Sequence, residues 1–202
     1  MNKLSTLALA AIGMVLLHSC SVISYSPKIS LPPSSKTIPK VVMVETLTDE
    51  SPEDDKTNKF ATITLTSRQS FTTNVETEVT LALVNEFIVN GVFQQVSRQV
   101  ANPDYIIKGK IKRFVARAGY TDYGIISEIT VLPVVTWLFG MPIRKHNSVV
   151  DLTLEVYTPK GQLVGTYSAQ ETELNRYSLY GPNNTLAINN QANRTLSKAV
   201  QK

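Results

Sequence analysis

The stretch that decides the fold is Tyr105-Ile106-Ile107-Lys108-Gly109-Lys110-Ile111-Lys112-Arg113-Phe114-Val115-Ala116-Arg117-Ala118. Ile107, Gly109, Ile111 and Val115 fall on one side of an extended chain. Lys108, Lys110 and Lys112 fall on the other, with Phe114 after them. A period of two is the signature of a half-buried strand. This is the longest strand candidate in the chain, so the other elements are expected to assemble around it.

Working outward, Ser148 to Tyr157 alternates in the same way. Val150, Leu152, Leu154 and Val156 point inward, and Asp151, Thr153 and Glu155 point outward. Thr158-Pro159-Lys160-Gly161 reads as a turn, and Gln162 to Gln170 as the returning hairpin strand. Upstream, Val41-Val42-Met43-Val44 is a continuous apolar run, expected to be a strand buried on both faces. Phe60 to Thr66 alternates as a half-buried strand.

Between them a helix is expected from Thr73 or Asn74, with Glu76 and Glu78 in its first turn. Val79, Leu83 and Phe87 share one face, and Val84 and Ile88 widen it. Asn90-Gly91 supplies the stop. Val92, Phe93 and Val96 suggest a short strand next. From Thr185, Leu186, Ala187, Ala192, Leu196, Ala199 and Val200 mark a closing amphipathic helix. The expectation is an α+β fold, an α/β sandwich, with a mixed, largely antiparallel sheet and two helices packed on one face.

The amino terminus reads as an address. Lys3 precedes an apolar run from Leu7 to Leu17, the layout of a secretory signal over residues 1–19. The run is shorter than the roughly 20 residues a spanning helix needs. It ends in Leu17-His18-Ser19-Cys20, which resembles the lipobox of bacterial lipoproteins. That resemblance implies cleavage before Cys20 and acylation of its thiol and new amino terminus. Two or three acyl chains anchor firmly, where one is marginal. Ser21, in place of Asp, implies sorting to the outer membrane, with the domain on its periplasmic face. Residues 20–40 hold four prolines and six serines after the cysteine, and read as a flexible linker. A single α+β domain is expected over 41–202.

Composition narrows the chemistry. The 202 residues carry 20 Lys+Arg against 16 Asp+Glu, one Cys and two His, with 43% hydrophobic and 18% charged residues. One cysteine excludes an intrachain disulfide and any CxxC site. His146 is the only histidine beyond the signal. No Gly-x-Ser-x-Gly elbow accompanies it, and no Gly pair is closer than Gly161 and Gly165, so phosphate loops are missing. No catalytic residue, metal site or cofactor is expected, and the reading is not an enzyme. A hydrolase using dispersed carboxylates is a lesser alternative. Nucleic acid is not an expected partner, since the charge excess is modest and the chain is exported.

Two features suit contact instead. Ile125 to Ile143 is an apolar insertion without charge from Ile129 onward, interrupted by Pro133 and Pro142. It reads either as a buried connection or as an exposed loop for lipid or a partner, with Val135, Trp137, Leu138 and Phe139 as the contacts. Arg144-Lys145 at its end suits phosphate head groups. Lys108, Lys110 and Lys112 form a basic face, either simply solvated or meeting anionic lipid or an acidic partner. The acidic run Asp49, Glu50, Glu53, Asp54, Asp55 reads as a solvated loop without EF-hand spacing.

The order "Leu83 to Phe87, then Gly91-Val92-Phe93, then Asp104-Tyr105-Ile106-Ile107-Lys108-Gly109" is similar to small bacterial envelope lipoproteins. These are the auxiliary lipoproteins of ABC-type lipid transport, the activators of penicillin-binding proteins, and relatives of the curli-secretion lipoprotein. The lipopolysaccharide-assembly lipoprotein that plugs an outer-membrane barrel offers a second, looser likeness. The resemblance implies an outer-membrane lipoprotein acting as a non-enzymatic accessory or adaptor of an envelope machine, with an envelope protein partner. The alternative is a component that binds or transports lipid or lipopolysaccharide.

Overall fold

The longest strand organises the sheet, as its length implies. The computed structural model describes residues 25–56, 64–66, 73–122, 139–178, 180–181 and 185–202. In chain order the elements are β1 (Ile38–Val44), β2 (Thr48–Asp49), α1 (Glu53–Lys56), β3 (Thr64–Thr66), α2 (Val75–Val89), β4 (Phe93–Ser97), β5 (Tyr105–Tyr120), β6 (Arg144–Tyr157), β7 (Leu163–Tyr177) and α3 (Thr185–Val200). They build a mixed seven-stranded sheet in the order β4-β1-β5-β6-β7, with β2 and β3 also paired to β5.

One edge of β5 pairs antiparallel with β6 from Ile106 to Tyr120. Its other edge is shared. β1 runs parallel at Tyr105–Ile107, β2 parallel at Lys110–Ile111, and β3 antiparallel near Ala118–Gly119. α2 and α3 both pack on one face. Val75, Val79 and Leu83 of α2 and Ile188, Ala192, Leu196 and Ala199 of α3 close over Ile111, Phe114, Ala116, Val150 and Leu152. The α+β fold expected from the alternation is the fold observed.

Several boundaries and one phase differ. Lys112 has no partner on β6, because Ile111 sits opposite Leu152 while Arg113 sits opposite Asp151. This one-residue bulge reverses the side-chain alternation. Ile107 and Ile111 share the helix face with Phe114, Ala116 and Ala118, and Val115 turns to the opposite face. A strict period of two had placed Val115 with Ile111. β6 begins at Arg144, not Ser148, and β7 continues to Tyr177. Val41 and Met43 are only half-buried while Val42 and Val44 are buried, so β1 hides one face and half-covers the other. Ile88, expected on the packed face of α2, is exposed. Of the strand expected at Phe60 to Thr66, residues 60–63 lie outside the described residues.

Gly109 is required where it stands. A Cβ there would lie 2.7 Å from Leu47 Cγ and 2.8 Å from Leu154 Cδ2. Leu47 crosses β5 at this point, and its backbone N–H donates to Thr80 Oγ1 at 3.0 Å. The glycine therefore lets the β1–β2 connection lie tight under α2. Gly91 ends α2 at φ +59° and Gly161 closes the β6–β7 turn at φ +81°, both in the left-handed region that favours glycine.

In the acidic run Glu50, Glu53 and Asp54 are exposed as a solvated loop would have them, but its end is docked. Asp55 is buried and takes two hydrogen bonds from the Arg113 guanidinium, at 2.7 and 3.1 Å. Arg117 reaches Asp55 at 3.7 Å and donates to the Asp54 carbonyl. A bidentate Arg–carboxylate pair is the geometry that holds α1 on the sheet face opposite α2 and α3.

Part of the stretch read as a flexible linker is packed: from Tyr25 to Leu31 the chain forms a strap between the two helices, while residues 32–39 are exposed. Tyr25 is 1% exposed, with its ring 5.4 Å from that of Phe114. Its hydroxyl donates to Asn193 Oδ1, and Thr73 Oγ1 donates to its carbonyl. Ser30 N–H donates to Ser197 Oγ, Gln201 Nε2 donates to the Ser30 carbonyl, and Leu31 N–H donates to Glu86 Oε1 at 2.6 Å. Composition suggested a linker because prolines and serines avoid regular structure. The segment has none, yet its three apolar side chains, Tyr25, Ile29 and Leu31, join the core. Met1 to Ser24, including the lipobox-like segment and Cys20, lie outside the described residues.

Candidate functional site

The strap fills only part of the trough between the helices. Beyond Leu31, toward the β6–β7 turn, the sheet lies open. There the chain leaves an apolar groove of about 320 Å³, lined by Ile38 and Val42 of β1, Phe87 of α2, Tyr105 of β5, Leu154 of β6 and Tyr167 of β7, among others. Four further aliphatic and aromatic side chains complete the lining. The volume sits at the lower end of the roughly 300–1,000 Å³ range of small-molecule sites.

Its construction follows from the strands. β1 contributes residues from its start, β4 contributes Phe93, and Phe87 meets Phe93 edge-on at 5.6 Å. On the far side Val164 and Tyr167 project from edge strand β7 and are 55% and 67% exposed, beside exposed Leu163. Ile38 on the near wall is 45% exposed. An apolar floor with apolar, solvent-facing walls on both sides is the pattern of a contact surface rather than of unfinished core. A second cleft of about 310 Å³ continues from it past Leu154 and Tyr167 to Ala199 and Val200 at the end of α3.

The groove was not among the sequence candidates, and those candidates are dispersed. Phe139 is 77% exposed, ahead of β6. Val135, Trp137 and Leu138 lie outside the described residues. The basic row on β5 is broken by acidic neighbours: Lys108 pairs with Glu45 at 3.4 Å and Lys110 with Glu50 at 3.0 Å. These are half-exposed surface pairs, and their effect is to neutralise the row more than to stabilise the fold. Lys112, on the bulge, is exposed and has no such partner among the described residues. The Glu50 carboxylate hydrogen-bonded to it raises the Lys110 pKa.

His146 is 1% exposed, against Tyr177 at 4.7 Å between ring centres. Among the described residues neither ring nitrogen has a hydrogen-bond partner. Burial, and secondarily the Arg144 charge, hold its pKa below the ordinary value, so the ring is neutral. It is sealed beneath α3, where Gln191 Nε2 donates to its carbonyl at 3.1 Å and to that of Glu173 at 2.6 Å. A general base needs access to substrate, and this ring has none. Glu173 is held to α3 by Arg194 at 2.6 Å and Lys198 at 3.7 Å, and Glu171 by Lys202, so these carboxylates latch the edge strand. Among the described residues no group of His, Cys, Asp and Glu is gathered to hold a metal ion, and no helix is long and apolar enough to cross a membrane.

No family model matches the chain, and no curated protein matches it. Among solved structures, a Xanthomonas campestris protein of family DUF330 superposes with a TM-score of 0.51 at 11% identity, over 89% of this chain and 91% of that one. That likeness shows a shared fold. The PelC dodecamer protein of Paraburkholderia phytofirmans gives 0.37 at 11% identity over 88% and 91%. Lipoprotein GNA1162 of Neisseria meningitidis gives 0.37 at 10% identity over 81% and 100%. Scores this low carry no argument about the present chain.

Proposed function

We propose that the chain is a bacterial envelope lipoprotein, anchored to the outer membrane through acylated Cys20, that acts by binding and not by catalysis. It serves as an accessory or adaptor of an envelope machine, and the groove between β7 and α2 receives an apolar segment of the protein partner. The observation that carries this reading is the shape of the apolar surface. Ile38, Val164 and Tyr167 form exposed walls beside the groove, so the surface is wider than a single enclosed lipid chain requires. The signal layout and the cysteine at its boundary support the anchoring.

A photocrosslinking amino acid at Tyr167 tests the binding role in cells. One discrete protein adduct is expected, and the same probe at Glu155, on the opposite sheet face, should give none. Adducts to lipid alone at Tyr167 would establish the lipid-binding alternative in its place. Cys20→Ala should move the protein out of the membrane fraction; unchanged fractionation would sink the lipoprotein reading.

A further inference from the structure

The strap shortens the tether, and that fixes which part of the domain can meet the membrane. We propose that the end of the sheet carrying Phe139, Lys145, Arg176 and Tyr180 lies on an anionic lipid surface. The inference rests on the reading of Cys20 as the anchor.

Three observations support it. The first is length. Only four residues, five Cα-to-Cα steps, separate Cys20 from Tyr25, which is fixed against Phe114 and Asn193. Fully extended they reach about 18 Å. A linker of twenty free residues could hold the domain well clear of the bilayer; four cannot.

The second is direction. Leu31 and Ser30 are bonded near the carboxyl ends of α2 and α3, at Glu86 and Gln201. Tyr25 lies half-way back along α3, at Asn193. Further back still, Gln191 bonds the carbonyl of His146, which stands opposite Ala118. Followed from Leu31 to Tyr25, the strap therefore heads for the end of the sheet where Tyr120 pairs with Arg144 and Arg144 with Tyr177. From Phe114 to Tyr120 is about 20 Å of strand. The tether thus comes within about 2 Å of that end, while Tyr105 at the groove end is about 30 Å of strand the other way.

The third is composition. Phe139 and Tyr180, flanking β6 and β7, are 77% and 74% exposed. Among the described residues nothing lies within 4 Å of where a side chain on the adjacent Gly140 would begin. Lys145 and Arg176 stand directly opposite each other on β6 and β7, both exposed. Like charges in register across strands repel. Asp122 lines the same cleft, with Thr121 and Pro142, yet pairs with neither cation among the described residues. Aromatic side chains beside cations that form no ion pair among the described residues suit the headgroup region of a bilayer, where rings bury at the interface and cations meet phosphate.

The test uses the acylated chain in vesicles of phosphatidylethanolamine and phosphatidylglycerol. Acylated Cys20 offers no free thiol, so one introduced cysteine takes an environment-sensitive fluorophore. Phe139→Cys, Tyr180→Cys, Tyr167→Cys and Lys160→Cys are compared, with nitroxide-labelled lipids as quenchers. Blue-shifted, quenched emission is expected at 139 and 180, and aqueous, unquenched emission at 167 and 160. Two reporters at the membrane end guard against misfolding of either variant. Quenching at 167 or 160 instead, or at no position while the protein still floats with the vesicles, would overturn the orientation and leave the anchor standing. Failure of the wild-type chain to float would overturn the anchor itself. Adding Lys145→Glu with Arg176→Glu should abolish quenching at 139 without loss of flotation; retained quenching would remove the lipid's charge from the proposal.

Discussion

The trough between α2 and α3 has two halves built on the same sheet face. One is filled by the chain's own Tyr25, Ile29 and Leu31, and the other, past Leu154 and Tyr167, is open. Both are floored by β5 and β6, and both are walled by helix. The difference lies in what covers them. The filled half closes with hydrogen bonds to Asn193, Ser197, Gln201 and Glu86, which satisfy a segment with no regular structure of its own. The open half offers few polar groups and many exposed apolar ones. Covered apolar surface is stability, and uncovered surface of similar chemistry is capacity to bind.

That contrast sets the order of expected effects. Tyr25→Ala empties the filled half, removing a fully buried ring and its contact with Phe114. It should cost about 3–5 kcal/mol in a urea titration. A loss under about 1 kcal/mol would mean the strap is an ornament on a self-sufficient core. Gly109→Ala presses a methyl group into Leu47 and Leu154 at the boundary of the two halves. About 1–3 kcal/mol is expected from overpacking.

His146 gives a pH signature on the filled side. Its folded pKa is lowered from 6.5, so the unfolded chain binds the proton more readily. The contribution is intact above 6.5 and is lost as pH falls below that value toward the folded pKa. Stability should therefore decline on mild acidification, and His146→Gln should flatten that decline. A wild-type profile no steeper than the variant's would show the ring to be solvated. Smallest in stability is Tyr167→Ala on the open side, within about 0.5 kcal/mol of wild type. Crosslinking from a photoprobe at Val164 should nonetheless fall sharply in that variant. Intact crosslinking would separate the groove from partner binding.

The parts of the fold that could be read from sequence are those governed by local period and turn chemistry. The Thr158 to Gly161 turn, the Asn90-Gly91 stop and the helix from Thr185 all follow from such rules. The bulge at Lys112 does not, because an extra residue is visible only against its partner strand. Phe114 and Ala116 then look misphased until β6 is laid beside them. The strap was illegible for a different reason. Proline and serine forecast the absence of helix and strand, and say nothing about burial. The groove has residues from five strands and a helix, so no single segment announces it. The contact residues named from the insertion shared a segment instead, and only Phe139 falls within the described residues.

The strap also bears on the order of events in folding. Its hydrogen bonds join residues 168 and 171 positions apart, from Tyr25 to Asn193 and from Ser30 to Gln201. Such pairings raise contact order and come late, since closing so long a loop costs entropy before anything is gained. A chain delivered amino end first would keep Tyr25 waiting until the final helix arrived. The last two turns of α3 then act as a completion signal: a product truncated before Asn193 keeps the strap's contacts with Thr73, Glu86 and Phe114 but loses those with Asn193, Ser197 and Gln201, and leaves an apolar trough for proteases or chaperones to find.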